Sequence, residues 1–574
     1  MRWQMLLSLA LAAFFFLPVT TSGLSPLNAP GDTLTVIMSP LLNVPAIHIP
    51  GETLVITCIA PSTTTAWQAQ LLHGSREIAL TINSSQYLQN PARWELQATV
   101  PQVPVFELYD LKVTASGGIE DVTRNAVQII PTRKTNYYFI HITDLHLPTR
   151  IYYPDAGFDS DSTSVNDFRS VIDDINLINP EFVLLTGDLL NEGELEGFAG
   201  QYWYGWTQRL LEEIDVPCFV TVGNHDVGGW NSTPPPQGSA RRNWWRYFGW
   251  PWLNNPDPAW QLHTQDYDFV YGSLQFIGLE GYDNYDNWRA NIYGSQSFTQ
   301  DQILWLNGRL GLYPDKTKVL FYHYDYSDQL NLSQLGAALG LWGHIHYNSG
   351  SIGTYPYNLA TRSVCNGNRA YRLIRVVGSQ VQPQETSYAG ASGTNLSVSY
   401  FPANNATADS VLAIVTNNQN LAFEQARLRF RLRPGNYSYH VTNGILEQVD
   451  RSSSGNTCYV QANLAAHSVL QVSVAESGTE NDDPLQTPQP LILSAYPNPF
   501  HERLNLVLDS KAEPVQLWIY NLRGEQIADL GSQPSGAECV WDCSNSAGNS
   551  MPAGIYYVRA SNRSGSELKR IVKY

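Results

Sequence analysis

From Tyr137 to His346 the sequence uses one device five times. An apolar run stops in a short cluster of Asp, Asn or His: "YYFIHITDLH", "EFVLLTGD", "CFVTVGNHD", "VLFYH" and "LGLWGHIH". Runs of this kind read as buried strands. Helical patterns stand between them. In "SVNDFRSVIDDINLINP", Phe168, Val171, Ile172, Ile175 and Ile178 share one face. Ser164 is placed to cap that helix and Pro180 to close it. "WTQRLLEEID" puts Trp206, Leu210, Leu211 and Ile214 on one side. Thr299 with Gln302 forms a capping box before "ILWLNGRL". Strands alternating with helices require a layered α/β structure, here expected over residues 132–378.

The rest of the chain has another texture. Its 574 residues exceed a single core, and length alone suggests about three to five domains. Residues 24–131 alternate in short runs such as "ETLVITCIA" and "RWELQATV" between turn residues, the pattern of an Ig-like β-sandwich. A second β-sandwich is expected at 379–476, a Pro- and acid-rich linker at 477–490, and a last β-domain at 491–574. Residues 1–23, with Arg2 and then an apolar stretch from Met5 to Val19, have the three-part form of a secretory signal peptide. No later segment is apolar enough to span a membrane, so the mature chain is expected to be exported without a transmembrane segment.

Composition narrows the partners. Hydrophobic residues make up 43% and charged residues 15%, and the formal net charge is −17. Such a chain can bury large cores and does not present the basic stripe that nucleic acid requires. The six cysteines form no Cys-x-x-Cys pair. Export permits disulfides, with Cys539 and Cys543 the nearest pair, whereas Cys218 sits in an apolar run as a buried thiol.

The chemistry lies at the strand ends. They carry Asp144 and His146, then Asp188, then Asn224, His225 and Asp226, then His323, then His344 and His346. Loops at the C-terminal ends of strands in α/β sheets line the ligand crevice, so these side chains are expected on one rim. In Asp-x-His and His-x-His, residues two apart on an extended backbone point to the same face. Glycines before Asp188, Asn224 and His344 let the chain turn tightly. Seven ligands (Asp144, His146, Asp188, Asn224, His323, His344 and His346) made of oxygen and nitrogen suit Mn, Fe, Zn, Co or Ni. Two such ions close together would clamp a phosphate ester and supply a hydroxide nucleophile. His225 is placed to protonate the leaving group, and Asp226 to orient His225.

The ordered set "DLH … GD … GNHD … H … GHIH" resembles the calcineurin-like metallophosphoesterase superfamily over residues from about Thr135 to Val377. The resemblance implies a β-sandwich flanked by helices and a centre of two divalent or trivalent metal ions. One ion would take Asp144, His146, Asp188 and His346. The other would take Asp188, Asn224, His323 and His344, with Asp188 bridging, and His225 would be the catalytic histidine. Purple acid phosphatases carry a tyrosine ligand three residues after the Gly-Asp aspartate, where this chain has Asn191. The form is closer to the secreted and cyclic-nucleotide phosphodiesterase-like branches.

Two segments stay open to more than one reading. "GWNSTPPPQGSARRNWWRYFGWPWLNNP" brings Arg241, Arg242 and Arg246 with several tryptophans close to Asp226. It is either a substrate wall, with Arg for phosphate, or a connector whose aromatics fill gaps under a long loop. The tail, with "LSAYPNPF" and "MPAGIYYVRASNRSGSELKRIVKY", resembles the sorting domain of bacterial type IX secretion, while "CVWDCSNSAG" resembles flagellar-hook-cap-like β-modules. The expectation is an exported phosphoesterase of a Gram-negative surface, acting on a small phosphorylated monoester or diester and handled by type IX machinery. The alternative is a surface protein that binds phosphorylated glycans or lipids without turning them over.

Overall fold

The computed structural model describes residues 35–89, 92–148, 163–191, 198–227, 244, 247–249, 265–281, 298, 300–477, 492–509, 514–534, 538–562 and 565–574. The expected signal peptide, most of the linker at 477–490, Thr299, and Arg241, Arg242 and Arg246 lie outside these residues. The chain divides into two units. Met1–Arg169 with Glu181–Thr386 form the first, and Ser170–Pro180 with Ser387–Tyr574 the second.

In the first unit, strands between Ile37 and Ile129 make one eight-stranded order. The long strand Arg76–Gln89 is its hinge. Its first residues pair with Gln68–His73, and the remainder pairs with Ala92–Thr99. One strand thereby serves two halves that fold onto a common core of Leu54, Ile56, Leu71, Leu96, Leu111 and Val127. Alternate residues supply that core, as the pleat dictates.

The central region is a pair of five-stranded sheets. We number its strands β1 (Asn136–Ile142), β2 (Val183–Thr186), β3 (Cys218–Thr221), β4 (Tyr267–Tyr271), β5 (Leu274–Gly278), β6 (Thr317–Phe321), β7 (Ala337–Trp342), β8 (Tyr357–Ala360), β9 (Ala370–Val377) and β10 (Gln380–Tyr388). One sheet has the order β3-β2-β1-β9-β10 and the other β4-β5-β6-β7-β8. The first sheet thus runs past the boundary read at 378, to Tyr388. In the first sheet β1, β2 and β3 are parallel, and in the second β5 to β8 are parallel. Phe139, Phe182, Phe219, Phe276, Phe321, Leu339 and Ile374 fill one core. Residues of β2, β3 and β7 are buried throughout, which is why their sequence shows unbroken hydrophobicity rather than alternation. The ends of β1, β2, β3, β6 and β7 each open into one of the expected ligand clusters.

Four helical segments are described: α1 (Ser164–Ile178), α2 (Phe198–Leu211), α3 (Asn224–Val227) and α4 (Gln300–Leu312). The apolar face expected for α1 is buried. Its cap is not Ser164. Thr163 Oγ1 accepts from Asn166 N at 3.3 Å, one residue earlier than the sequence suggested, and Ser164 Oγ has no hydrogen-bond partner. Gln302 of α4 donates to the carbonyl of Glu280 at 2.5 Å and to Asp266.

The second unit is β-structure apart from Ser170–Pro180. A four-stranded and a three-stranded sheet lie between Leu396 and Ser477, and another three- and four-stranded pair between Ile492 and Lys573. Leu506, Leu517, Ile519, Trp541 and Val558 anchor the last core. Cys539 and Cys543 are both free thiols, and Cys543 Sγ lies 3.2 Å from the carbonyl of Glu502. Cys218 is a buried thiol, as its apolar run indicated. Among the described residues no helix is long and apolar enough to cross a membrane.

Arg133 ties the N-terminal strands to the start of β1. Its guanidinium donates to both oxygens of Glu52, at 2.5 and 2.8 Å, and to the carbonyl of Ile47. These bonds, with others from Ile49 N and His48, hold the Glu52 carboxyl at about 2, against an ordinary 4.5. A carboxyl with a depressed folded value stabilises fully above its unfolded value and loses that contribution as pH falls through the folded one. Glu52→Gln is therefore expected to destabilise the first unit by about 1 kcal/mol at neutral pH. Thermal unfolding followed across pH should show the gap to wild type closing as pH falls from about 4.5 towards 2.

Candidate metal centre

Three of the five strand ends, those of β1, β2 and β7, deliver their side chains by an abrupt change of backbone. Asp144, His146, Asp188, His344 and His346 all have positive φ, between 48° and 67°. The extended backbone expected for Asp-x-His and His-x-His is therefore not what aligns them. Both residues of each pair are left-handed, a conformation costing of order 1 kcal/mol or more for a side chain with a Cβ. The turn folds the chain back at once, so that both side chains face the same centre. Two of the glycines allow close approach rather than a positive φ. A Cβ on Gly223 would meet Asp188 N at 2.2 Å, and one on Gly343 would meet Thr143 Oγ1 at 1.8 Å.

The seven expected ligands come together. His146 Nε2 lies 3.0 Å from His346 Nε2 and 3.5 Å from Asp188 Oδ2. His346 Nε2 is 3.3 Å from Asp144 Oδ1. The same oxygen, Asp188 Oδ2, is 3.2 Å from His323 Nε2. Asn224 Oδ1 faces His323 Nε2 at 3.1 Å and His344 Nδ1 at 3.0 Å. Asp188 thus belongs to both groups, one with His146 and His225 and one with His323 and His344. Asp144, His146, Asp188 and His323 are almost wholly buried.

Burial and charge pull against each other here. Burial opposes ionisation of Asp144, yet the imidazoles of His346 and His146 hold its carboxyl well below the usual range. Asp188 is likewise lowered against its burial, by His323 and His225. Burial alone would lower His323, but the charge of Asp188 lifts it to about 9. Burial, then the neighbouring His323, brings His344 down to about 4. Among the described residues the ion pairs of both aspartates are with imidazoles. Two buried carboxylates and imidazole nitrogens in near contact form a donor set of lone pairs aimed at common points. That is the arrangement a pair of N- and O-binding cations fits.

The surrounding bonds orient the ligands. His323 Nδ1 donates to the carbonyl of Thr186 at 2.6 Å, which turns Nε2 inward. Asp226 has a different place from the one expected. Its Oδ2 accepts from Asp188 N at 2.9 Å and Gly223 N at 2.8 Å, and its Oδ1 from Leu189 N and Leu190 N at 2.8 and 3.1 Å. Burial and the charge of Asp188 push the Asp226 carboxyl up to about 7. With both oxygens occupied by backbone amides, Asp226 fastens the β2 and β3 loops together. The orientation of His225 comes instead from Asn191, whose carbonyl accepts from Nδ1 at 2.6 Å. His225 N also donates to Asp188 Oδ1 at 2.8 Å, and its ring stands edge-on to His146 with centroids 4.7 Å apart.

Several neighbours had no sequence signal of this kind. Asn191 acts through its backbone, which no side-chain motif reveals. Cys365 and Asn366 follow β8, a further parallel strand whose end carries no Asp or His. Cys365 Sγ groups with His146 and His346 within ligand reach of one another. Of the aromatic insertion, Trp244, Tyr247 and Phe248 are described. Trp244 and Phe248 are buried, Trp244 Nε1 donates to Gln265 Oε1 at 2.7 Å, and the half-buried Tyr247 stacks on Tyr204 with centroids 5.3 Å apart. These three side chains behave as filling.

Comparison with known proteins bears on this region. Residues 137–348 match the family model described as calcineurin-like phosphoesterase, and residues 501–566 that of the FlgD Ig-like domain. A probable cyclic nucleotide phosphodiesterase of Moraxella catarrhalis is 29% identical over 96 residues, 17% of this chain and 30% of that protein. A probable glycerophosphodiester phosphodiesterase of Arcobacter nitrofigilis is 28% identical over 145 residues, 25% of this chain and 42% of that protein. The chain thus spans less than half the length of these curated relatives. Among solved structures, a purple acid phosphatase from yellow lupin aligns with 10% identity and a TM-score of 0.35, covering 64% of this chain and 69% of the other. A dimetal phosphatase from Danio rerio aligns with 14% identity and a TM-score of 0.30, covering 43% and 99%.

Asp226→Asn would leave one acceptor oxygen for four N–H donors and set an amide NH2 against two of them. The expected result is a loss of metal affinity of roughly 10–100-fold, read by calorimetric titration with Mn.

Proposed function

We propose that this chain, whose central region is a calcineurin-like phosphoesterase domain, is a metal-dependent phosphodiesterase acting at the strand-end cluster. The observation that carries the reading is Asp188, which stands between two groups of imidazole ligands. Asp144, His146, Asp188 and His346 would hold one ion, and Asp188, Asn224, His323 and His344 the other. Bound there, the ions would supply Lewis acidity toward a phosphoryl oxygen and lower the pKa of water.

The protein's own groups do the rest. Asn191 holds the Nδ1 proton of His225, which leaves Nε2 as the atom that meets the substrate. A proton on that nitrogen can pass to the leaving alkoxide. The left-handed turns fix the ligands before substrate arrives, so little reorganisation accompanies binding. A diester is favoured over a monoester because both sequence relatives bear phosphodiesterase names.

The proposal extends to the flanking regions. Residues 1–23 are a secretory leader, and residues 24–131 an Ig-like module. The last β-domain is a non-catalytic module for sorting by type IX machinery to the surface of a Gram-negative bacterium. The leader's composition, the β-structure of residues 492–573 and the tail motifs support this.

Metal-stripped protein restored with Mn, Zn, Fe or Ni singly should hydrolyse an aryl phosphodiester faster than an aryl monoester. Turnover of neither with any metal would remove the proposal. Asp188→Ala should abolish activity together with metal binding. His225→Ala should lower kcat about 10²–10⁴-fold, with metal content measured by mass spectrometry unchanged.

A further inference from the structure

We infer that Asn366 is a positioning residue of the metal centre: its side-chain carbonyl holds the proton of His346 on Nδ1 and so leaves Nε2 as the ligand atom. The inference rests on the reading of the cluster as a metal centre.

His346 directs Nε2 inward, 3.0 Å from His146 Nε2 and 3.3 Å from Asp144 Oδ1. Its other nitrogen faces outward, with the Asn366 amide nitrogen 3.3 Å and Cys365 Sγ 3.9 Å from Nδ1. A neutral imidazole carries one proton, and a nitrogen that binds a cation must offer its lone pair. The proton then belongs on Nδ1 and needs an acceptor. An amide NH2 cannot accept it, and a thiol sulfur accepts weakly. The Asn366 carbonyl oxygen can. It is buried and has no hydrogen-bond partner while the NH2 faces His346. A half-turn of the amide exchanges the two atoms and sets the oxygen against Nδ1–H. The same device already operates twice in the site. His323 Nδ1 meets the Thr186 carbonyl, and His225 Nδ1 meets that of Asn191.

The loop that carries Asn366 is built to hold it in place. Asn366, Gly367 and Arg369 all have positive φ, at 62°, 72° and 53°. Val364 N and Cys365 N donate to the carbonyls of Thr143 and Asp144, at 3.0 and 3.2 Å. Gly367 N and Arg369 Nε donate to the two oxygens of Asp167, at 2.8 and 2.9 Å. The backbone of Asn366 is thereby fixed relative to the ligand block, which leaves its amide only the turn about its own side chain.

Because Asn366 is left-handed, Gly is the truncation that keeps the backbone, and Asp is the conservative variant that keeps an acceptor. Metal-stripped wild type, Asn366→Gly and Asn366→Asp are titrated with Mn by calorimetry as full chains. Wild type should bind two equivalents. Asn366→Gly should weaken one of them roughly 10–100-fold and spare the other, while Asn366→Asp should stay within about threefold of wild type. Wild-type affinity at both sites in Asn366→Gly, or equal loss in the Gly and Asp variants, would overturn the inference. Failure of wild type to bind Mn would bring down the metal-centre reading itself, a result distinct from either. Nitrogen NMR of zinc-loaded wild type reads the tautomer without a variant: a protonated Nδ1 on His346 is expected, and a metal-bound Nδ1 overturns it.

Discussion

Two carboxylates, Asp144 and Asp188, sit almost wholly out of water at the edge of a β-sandwich, ringed by imidazoles. Desolvating an ionised carboxylate costs several kcal/mol unless charge or hydrogen bonds compensate. Compensation here comes from side chains separated by up to two hundred residues along the polymer. The parallel strands exist at this register to bring those side chains to one edge. The apolar core beneath, dominated by Phe139, Phe182, Phe219 and Phe276, makes the strands rigid enough to hold them there. The carboxylates and imidazoles must be placed together or not buried at all.

Rigidity at the edge is obtained by local strain. Five of the ligand residues adopt a left-handed backbone that an isolated chain would avoid. Such conformations persist only where the surroundings over-determine them. Asp226 provides part of that constraint by gathering four amides from the β2 and β3 loops. Close glycine contacts at Gly223 and Gly343 provide another part. Preorganised ligands bind cations with less loss of freedom, which is the physical link between the strained turns and the proposed chemistry.

Much of this was legible in the sequence because the signal was made of side chains. Unbroken apolar runs marked β2, β3 and β7 as buried strands, and Asp, Asn and His at their ends marked the rim. What was not legible depends on backbone geometry. Residue type gives Asp-x-His and His-x-His an extended backbone, and nothing in it reveals a left-handed turn at Asp144 or His344. Asp226 reads as a partner for its neighbour His225, whereas the fold spends both oxygens on main-chain amides. Asn191 acts through a carbonyl, and Asn366 through an amide after a strand with no Asp or His at its end. Helix capping shifted by one residue, from Ser164 to Thr163, because either hydroxyl satisfies the pattern.

The most direct test of the central claim is anomalous diffraction from crystals grown with Mn. Two peaks on opposite sides of the Asp188 carboxylate, one beside His146 and His346 and one beside His323 and His344, are predicted. A single peak away from Asp188, or none at full Mn loading of the buffer, would contradict the account.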